Sequence, residues 1–258
     1  MTIHFVGGGP GAADLITVRA ANLLGEADVV MYAGTYLDRD VLAHCRADVR
    51  LVDSADLTLD QITAELVTAH LAGHEVVRLC SGDPSLYSAL AEQAFRLDAA
   101  GVPWDVTPGV PAYAAAAAVV GRELTVPLLS QSVVLTRAQA RSTAMPESES
   151  LANVAATGAT LVLHLAITRI GELASELIEH YGADCPVVVV YRASQPEQLV
   201  LRGTLATIAE QVEAAQLRQA AVILVGRVLD PVRVGESYLY GVERDRSAKV
   251  STGSTSKY

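Results

Sequence analysis

Short runs of β-branched and aliphatic residues alternate with stretches of helical periodicity along nearly the whole chain, and three of the strand-to-helix turns are rich in glycine and proline. Residues 3–6, 29–32, 75–80 and 104–106 read as strands. Residues 15–24, about 59–71, a stretch opening at Pro84 and the nearly pure alanine run 112–120 read as helices. Strands joined through helices pair in parallel, because the crossover returns the chain in the same direction. Asp14 is expected to cap the first helix with its carboxylate, and Gly25 to end it in a left-handed conformation. Asp83 followed by Pro84 carries the same helix-starting chemistry.

The pattern breaks at residues 121–128, where a glycine, a proline and two charges interrupt it. Residues 132–136, 160–165, 187–191, 198–202 and 221–225 then read as strands, with helices over about 169–180 and 205–215. Two strands lie close together around residues 193–197, which predicts a hairpin and so a mixed sheet. Residues 138–150 read as a polar loop, and the Ser/Thr-rich residues 247–258 as a frayed end. The expected fold is a two-domain α/β architecture. An N-terminal α/β domain over residues 1–121 has a mostly parallel sheet, a C-terminal α/β domain over 122–230 has a mixed sheet, and a tail over 231–258 is expected to be partly disordered.

Composition narrows the function classes. With 258 residues, 51% of them apolar and 19% charged, the chain has a globular profile and can bury a core without metal or disulfide staples. Cys45, Cys80 and Cys185 are scattered with no C-x-x-C pair, as expected of reduced thiols. The start lacks a basic segment followed by an apolar one, and no apolar run reaches a membrane span, so a cytoplasmic location is expected. Nineteen basic against 29 acidic side chains leave a formal charge of −10 with dispersed arginines, which opposes nucleic acid as a partner. An anionic ligand would need a local arginine cluster. His70 and His74 have metal-pair spacing, but Gly73 falls between them and no third ligand is near, so no metal is expected. His164, inside an apolar strand, reads as an ordinary core histidine.

The three turns carry the candidate chemistry. Val6-Gly7-Gly8-Gly9-Pro10-Gly11-Ala12-Ala13-Asp14 lies between a strand and a helix, as a dinucleotide fingerprint does. Pro10, however, removes an amide that a pyrophosphate cradle uses, and Asp14 places negative charge where phosphates would sit. The acid expected after the second strand is missing as well, since Asp28 precedes that strand and Thr35 follows it. A nicotinamide-dependent oxidoreductase is therefore the weaker reading, and a tight turn needing residues without a Cβ explains the same glycines. In the second turn, Ser81-Gly82-Asp83-Pro84, Gly82 lets a ligand approach the backbone and Asp83 offers acceptors for ribose hydroxyls. The third, Thr107-Pro108-Gly109-Val110-Pro111-Ala112, has small residues that leave room for a flat group.

Taken in this order, the V-G-x-G-P-G-x-x-D-L-x-T run at residues 6–17, the Ala27-Asp28-Val29-Val30 strand entry, S-G-D-P and P-G-V resemble one family, the tetrapyrrole (precorrin) methyltransferases. The resemblance spans about residues 2–229 and implies the fold above, S-adenosyl-L-methionine (SAM) as methyl donor, and a homodimer. Finer signs are Tyr32-Ala33-Gly34-Thr35, Glu92-Gln93, Glu123-Leu124-Thr125-Val126-Pro127, Ser130-Gln131-Ser132, Thr136-Arg137, Met145-Pro146-Glu147 and Arg202-Gly203-Thr204-Leu205. They resemble the branch that methylates carbon 11 of precorrin-4, or of its cobalt-containing counterpart, in cobalamin biosynthesis. Other relatives act on other precorrin positions, an RNA ribose or a modified protein histidine. The acidic charge disfavours RNA, and the loop motifs disfavour the protein. Three features depart from the family pattern: Tyr87-Ser88-Ala89 stands where Y-G-A is expected, Gln195 where a tryptophan is expected before Pro196, and the loop over residues 141–146 is a residue longer than the commoner version.

Carried over position by position, the resemblance implies SAM contacts at Pro10, Ser81, Gly82, Asp83, Leu86, Tyr87, Pro111, Ala112, Leu165, Ala193 and Ala221. The implied tetrapyrrole carries many carboxylates, which arginine's planar fork suits. Arg78, Arg137, Arg141 and Arg192 fall at or just beyond expected strand ends and are the candidates to meet them. Tyr32 and Met145 are candidates to pack on the macrocycle, and Asp14 to face it. No general acid or base is named, because the nucleophile is an electron-rich ring carbon and the leaving group a neutral thioether.

Overall fold

The computed structural model describes residues 1–34, 37–138, 144–230, 237, 240 and 241. Strands β1 (Ile3–Gly7), β2 (Val29–Tyr32), β3 (Arg50–Asp53), β4 (Val76–Cys80) and β5 (Trp104–Thr107) form a parallel sheet in the order β3-β2-β4-β1-β5. Helices α1 (Val18–Glu26), α2 (Leu59–Leu71), α3 (Leu90–Ala99) and α4 (Ala112–Val120) lie between or after these strands. The second sheet contains β6 (Val133–Arg137), β7 (Thr160–His164), β8 (Pro186–Tyr191), β9 (Leu199–Thr204) and β10 (Ala221–Val225), with α5 (Leu151–Ala155), α6 (Ile170–Tyr181) and α7 (Ile208–Ala214) between them. Its order is β6-β7-β10-β8-β9; only β6 and β7 pair in parallel. The expected α/β class, one parallel sheet and one mixed, is what the chain forms.

Side-chain alternation along the strands supplies a core on each face of each sheet. Phe5, Met31 and Val76 pack towards Ile62 and Leu66 of α2 and Leu97 of α3, while Val6, Val30, Val77 and Leu79 pack towards Ala20 and Leu24 of α1. In the second sheet Leu161, Leu163, Val187 and Ile223 face α6 and α7. The opposite face, with Val162, Val188, Val222 and Leu224, is covered by Ala115, Ala116 and Val120 of α4. The alanine helix thus leaves the first sheet and seals the second, and Gly121 ends it with φ 65° and ψ 43°.

Several expected boundaries move. The cap of α1 is Thr17, whose side chain accepts a bond from the Ala20 N–H at 3.2 Å, and Asp14 lies in a short 3-10 turn, Ala13–Leu15. Gly25 sits inside α1, which runs on to Glu26. The helix expected from Pro84 starts only at Leu90, because the Asp83 carboxylate is held by Ser85 and Gly109 and does not cap a helix. Strand β3 and the short α5 had no expectation in the sequence. No helix among the described residues is long and apolar enough to cross a membrane. Apart from residues 237, 240 and 241, the tail after residue 230 lies outside the described residues, as do Thr35 and Arg141.

Candidate active site

At the carboxyl ends of β1, β4 and β5 the three Gly/Pro turns meet backbone to backbone. Gly9 and Gly82 exchange bonds, N–H to carbonyl, at 3.2 and 2.8 Å, and the Gly8 N–H reaches the Cys80 carbonyl at 2.7 Å. A Cβ on Gly7 would lie 2.4 Å from the Gly109 nitrogen, and one on Gly109 only 2.1 Å from the Gly82 carbonyl oxygen. The glycines are therefore required by backbones crossing each other, which answers the tight-turn reading of the first motif. Gly82 differs: with φ +67° its missing Cβ would reach no closer than 3.6 Å to the Ala112 nitrogen and 3.7 Å to Pro111 Cα.

Above this crossing lies a cavity of about 260 Å³ between the two sheets. Pro10, Ser81, Gly82, Asp83, Leu86, Tyr87, Pro111 and Ala112 line it from the first sheet's turns. Leu165, Ala193 and Ala221 line it from the ends of β7, β8 and β10. Every position that the resemblance offers to the cofactor is thus brought to one cavity. The sequence reading did not include His164, Ile167, Thr168, Val190, Gln195, Arg218, Gln219, Ala220 and Val222, which also line it. His164, Ala220 and Val222 adjoin Leu165 or Ala221 directly and the others fall within three positions of Leu165, Ala193 or Ala221, so proximity at the strand ends was the available signal.

The halves are tied across the cavity mouth. The Ala12 N–H donates to Ser194 Oγ at 3.1 Å, and Gln195 Nε2 donates to the Pro10 carbonyl at 3.1 Å. Gln195, one of the departures from the family pattern, therefore links the first turn to the β8–β9 hairpin. Asp83 ties two turns together: Oδ1 accepts from the Ser85 N–H at 2.8 Å and from the Ser85 hydroxyl, and Oδ2 accepts from the Gly109 N–H at 2.8 Å. Partial burial alone would raise this carboxyl, but the bonds from Ser85 and Gly109 outweigh it and hold the group below its ordinary value. A carboxylate oxygen has two lone-pair sites, so Oδ2 can still accept a ligand hydroxyl.

His164, the last residue of β7, has its Nε2 buried without a hydrogen-bond partner, and its ring lies 5.5 Å from that of Tyr87. Burial pushes the imidazole pKa down, so the ring is neutral near pH 7. Tyr87 is raised by burial and by Glu149, with Arg137 opposing. The arginines at the cavity are paired: Arg192 with Glu197 at 3.2 Å and Arg218 with Glu213 at 3.1 Å.

The positions offered to a carboxylate-rich ligand are dispersed. Arg192 lines the cavity, and Arg137 ends β6 in register with His164. Met145 is half-buried on the segment after the undescribed residues 139–143. Arg78 is not at a strand end: it is third of five in β4, only 7% exposed, and outside the cavity lining. Tyr32 ends β2 but is buried in the core beside α1, and Asp14 is exposed on its turn away from the cavity lining. Arg141 lies outside the described residues. Among the described residues no group of His, Cys, Asp and Glu side chains is placed to hold a metal ion.

In chemical character the cavity is a slot of small and apolar walls. Pro10 and Pro111 offer no N–H, the Asp83 carboxylate at the cradle opposes an anion, and the two lining arginines are already paired with Glu197 and Glu213, so the turns do not form a diphosphate cradle. A neutral nucleoside with a cationic arm meets flat walls, a free acceptor on Asp83 and an unpartnered imidazole nitrogen.

Comparison with known proteins agrees with this geometry. The family described as Tetrapyrrole (Corrin/Porphyrin) Methylases matches residues 2–209. A precorrin-4 C(11)-methyltransferase of Rhodococcus erythropolis is 55% identical over 96% of this chain and 99% of its own length. A solved cobalt precorrin-4 methyltransferase superposes with a TM-score of 0.86 at 37% identity, covering 89% of this chain and 96% of that one. The uroporphyrin-III C-methyl transferase of Thermus thermophilus, solved in complex with S-adenyl homocysteine, gives a TM-score of 0.73 at 29% identity over 89% of this chain and 94% of that one.

Proposed function

The chain belongs to the tetrapyrrole (corrin/porphyrin) methylase family, and from that premise we infer that it transfers a methyl group from SAM to carbon 11 of precorrin-4 in cobalamin biosynthesis. The observation that carries the reading is the 55% identity, sustained over nearly the whole of both chains, to a relative of that name. Metal-free precorrin-4 is favoured over its cobalt-containing counterpart because relatives named for cobalt-precorrin-4 are more distant, at 37% and 39% identity, than those named for precorrin-4, at 46% to 55%.

The residues present suit the donor. When bound, SAM supplies an electrophilic methyl on a sulfonium whose charge is lost as the methyl leaves. The chain's part is to bind and orient. Pro10, Pro111, Ala112, Leu165, Ala193 and Ala221 give the apolar walls that exclude water from the slot. Asp83 Oδ2 keeps an acceptor site for a ribose hydroxyl, and His164, neutral at pH 7, puts no positive charge against a cationic ligand. Holding donor and ring carbon in line contributes on the order of 7–11 kcal/mol to lowering a barrier of this kind, so no side chain need act as acid or base. Arg137 and Arg192 stand at the ends of β6 and β8, where a carboxylate-bearing macrocycle next to the slot would find cations.

The same reading makes the protein a cytoplasmic homodimer whose partner is a small tetrapyrrole, with neither nucleic acid nor membrane involved. The net charge of −10 supports the exclusion of nucleic acid. Titration calorimetry with SAM is expected to show binding to the purified chain. Incubation with precorrin-4 and methyl-labelled SAM, followed by NMR of the product, is expected to place the label on carbon 11. A label at another ring position, or tight NADH binding without SAM binding, overturns the reading.

A further inference from the structure

Arg78 and Gln93 stand outside the cavity, yet their bonds lead to it. Arg78 is buried in the centre of β4, and none of the ion pairs among the described residues includes it. Its Nε donates to Gln93 Oε1 at 3.0 Å, and one terminal nitrogen donates to Ser54 Oγ at 3.0 Å and towards the Met31 carbonyl at 3.4 Å. A guanidinium has only donors, so it fixes which end of the Gln93 amide faces it. The amide nitrogen is thereby turned towards the loop before α3, where it donates to the Ala89 carbonyl at 3.0 Å and the Ser88 carbonyl at 3.3 Å. Gln93 is 1% exposed, so water does not compete for these bonds.

The loop needs such support. Tyr87 and Ala89 both hold left-handed backbone, at φ 54° and 55°, a conformation that side chains with a Cβ disfavour. Between β4 and α3 this loop carries Leu86 and Tyr87 to the cavity wall, and Tyr87 meets the His164 ring from the opposite sheet.

We propose that Arg78 and Gln93 are positioning residues for the methyl donor, a buried relay in which the guanidinium orients the glutamine amide and the amide holds the 87–89 backbone that shapes the cofactor wall. The inference rests on the SAM reading of the cavity and deepens it.

The test is Gln93→Glu, studied in the full-length chain by SAM calorimetry, steady-state kinetics and thermal melting. A carboxylate keeps the acceptor for Arg78 but turns lone pairs on the Ser88 and Ala89 carbonyls, so only the second half of the relay is broken. SAM affinity is expected to fall about tenfold, as for the loss of two hydrogen bonds. KM for SAM should rise accordingly, with kcat changed by less than about twofold. Adding Ala89→Gly, which lets position 89 hold its left-handed angle unaided, is expected to recover most of that affinity. Should Gln93→Glu fail to fold, Gln93→Met, which breaks both halves without a charge, is measured alone and with Ala89→Gly against the same expectations. Equal SAM affinity in wild type and variant, or a variant whose melting temperature alone falls, overturns the inference. Absence of SAM binding by the wild-type chain overturns the cofactor reading and this inference with it.

Discussion

His164 shows how far a single side chain can be read from its neighbours in sequence. In the run Thr160–His164 it is one polar residue among aliphatics, and the natural reading is a core histidine with its bonds satisfied. Folding instead leaves Nε2 without a partner at the wall of the cavity. Arg78 misled in the same way: a cation in an apolar run reads as a strand end, and its actual partners, Gln93 and Ser54, are brought to it only by tertiary packing. The His164 environment has a pH consequence. Its folded pKa is pushed below the ordinary 6.5 by burial, so below about pH 6.5 the unfolded chain takes up a proton that the folded chain resists. The stability due to the neutral ring is complete above that pH and is lost as pH falls towards the folded value. Protonation would also set a positive charge against a sulfonium ligand. As pH falls towards and below that depressed value, SAM affinity measured by calorimetry is expected to fall in the wild type and to stay nearly flat in His164→Gln. An equal fall in both proteins would remove His164 from the cofactor wall.

At the scale of elements, the strands and helices with strong periodicity were legible: β2, α2, α4 and β10 fall where the pattern puts them. Strand β3 was not, because it is a short edge strand, Arg-Leu-Val-Asp, with little of the apolar content that marks a buried strand. The start of α3 was misread for a different reason. Asp83-Pro84 is good helix-starting chemistry, but a carboxylate that accepts from the Gly109 N–H on another turn cannot be recognised from local sequence. The glycine turns divide likewise: that they need residues without a Cβ was legible, and which backbone each one meets was not. That difference separates two substitutions. Gly109→Ala would drive a Cβ into the Gly82 carbonyl, with backbone on both sides of the clash. It is expected to cost about 3 kcal/mol and lower the melting temperature by roughly 6–12 °C. Gly82→Val has room to stand but projects towards Pro111 and Ala112, both on the cavity wall. Its left-handed backbone costs about 1–2 kcal/mol, so SAM binding should be lost while most of the fold remains. Melting curves and calorimetry on the two variants check this, and the reverse pattern would place the cavity's floor elsewhere.

In the whole molecule, function depends on holding two separately cored sheets at a fixed distance, since the slot has one wall from each. The sequence division at residues 121 and 122 remains our proposal for the domain boundary, although α4, on the N-terminal side of it, packs on the second sheet. The contacts that close the slot are few and polar. Ala12 to Ser194 and Gln195 to Pro10 join the first glycine turn to the β8–β9 hairpin, and Tyr87 touches His164 across the gap. None was legible, because each pairs residues far apart in the chain. Each such bond contributes about 0.5–1.5 kcal/mol net, which is small against the two hydrophobic cores. Losing both from Ser194→Ala with Gln195→Leu should therefore lower the melting temperature by only roughly 2–12 °C. The effect on the slot should be larger than that modest loss suggests, because walls that can part must be brought together again before they grip a ligand. Weaker SAM binding in the double variant, with faster hydrogen exchange at residues 8–12 and 192–195 and unchanged exchange in the strands of both sheets, is the expected result. Unchanged SAM affinity would mean that the sheets are held at their distance by α4 and the chain crossing alone.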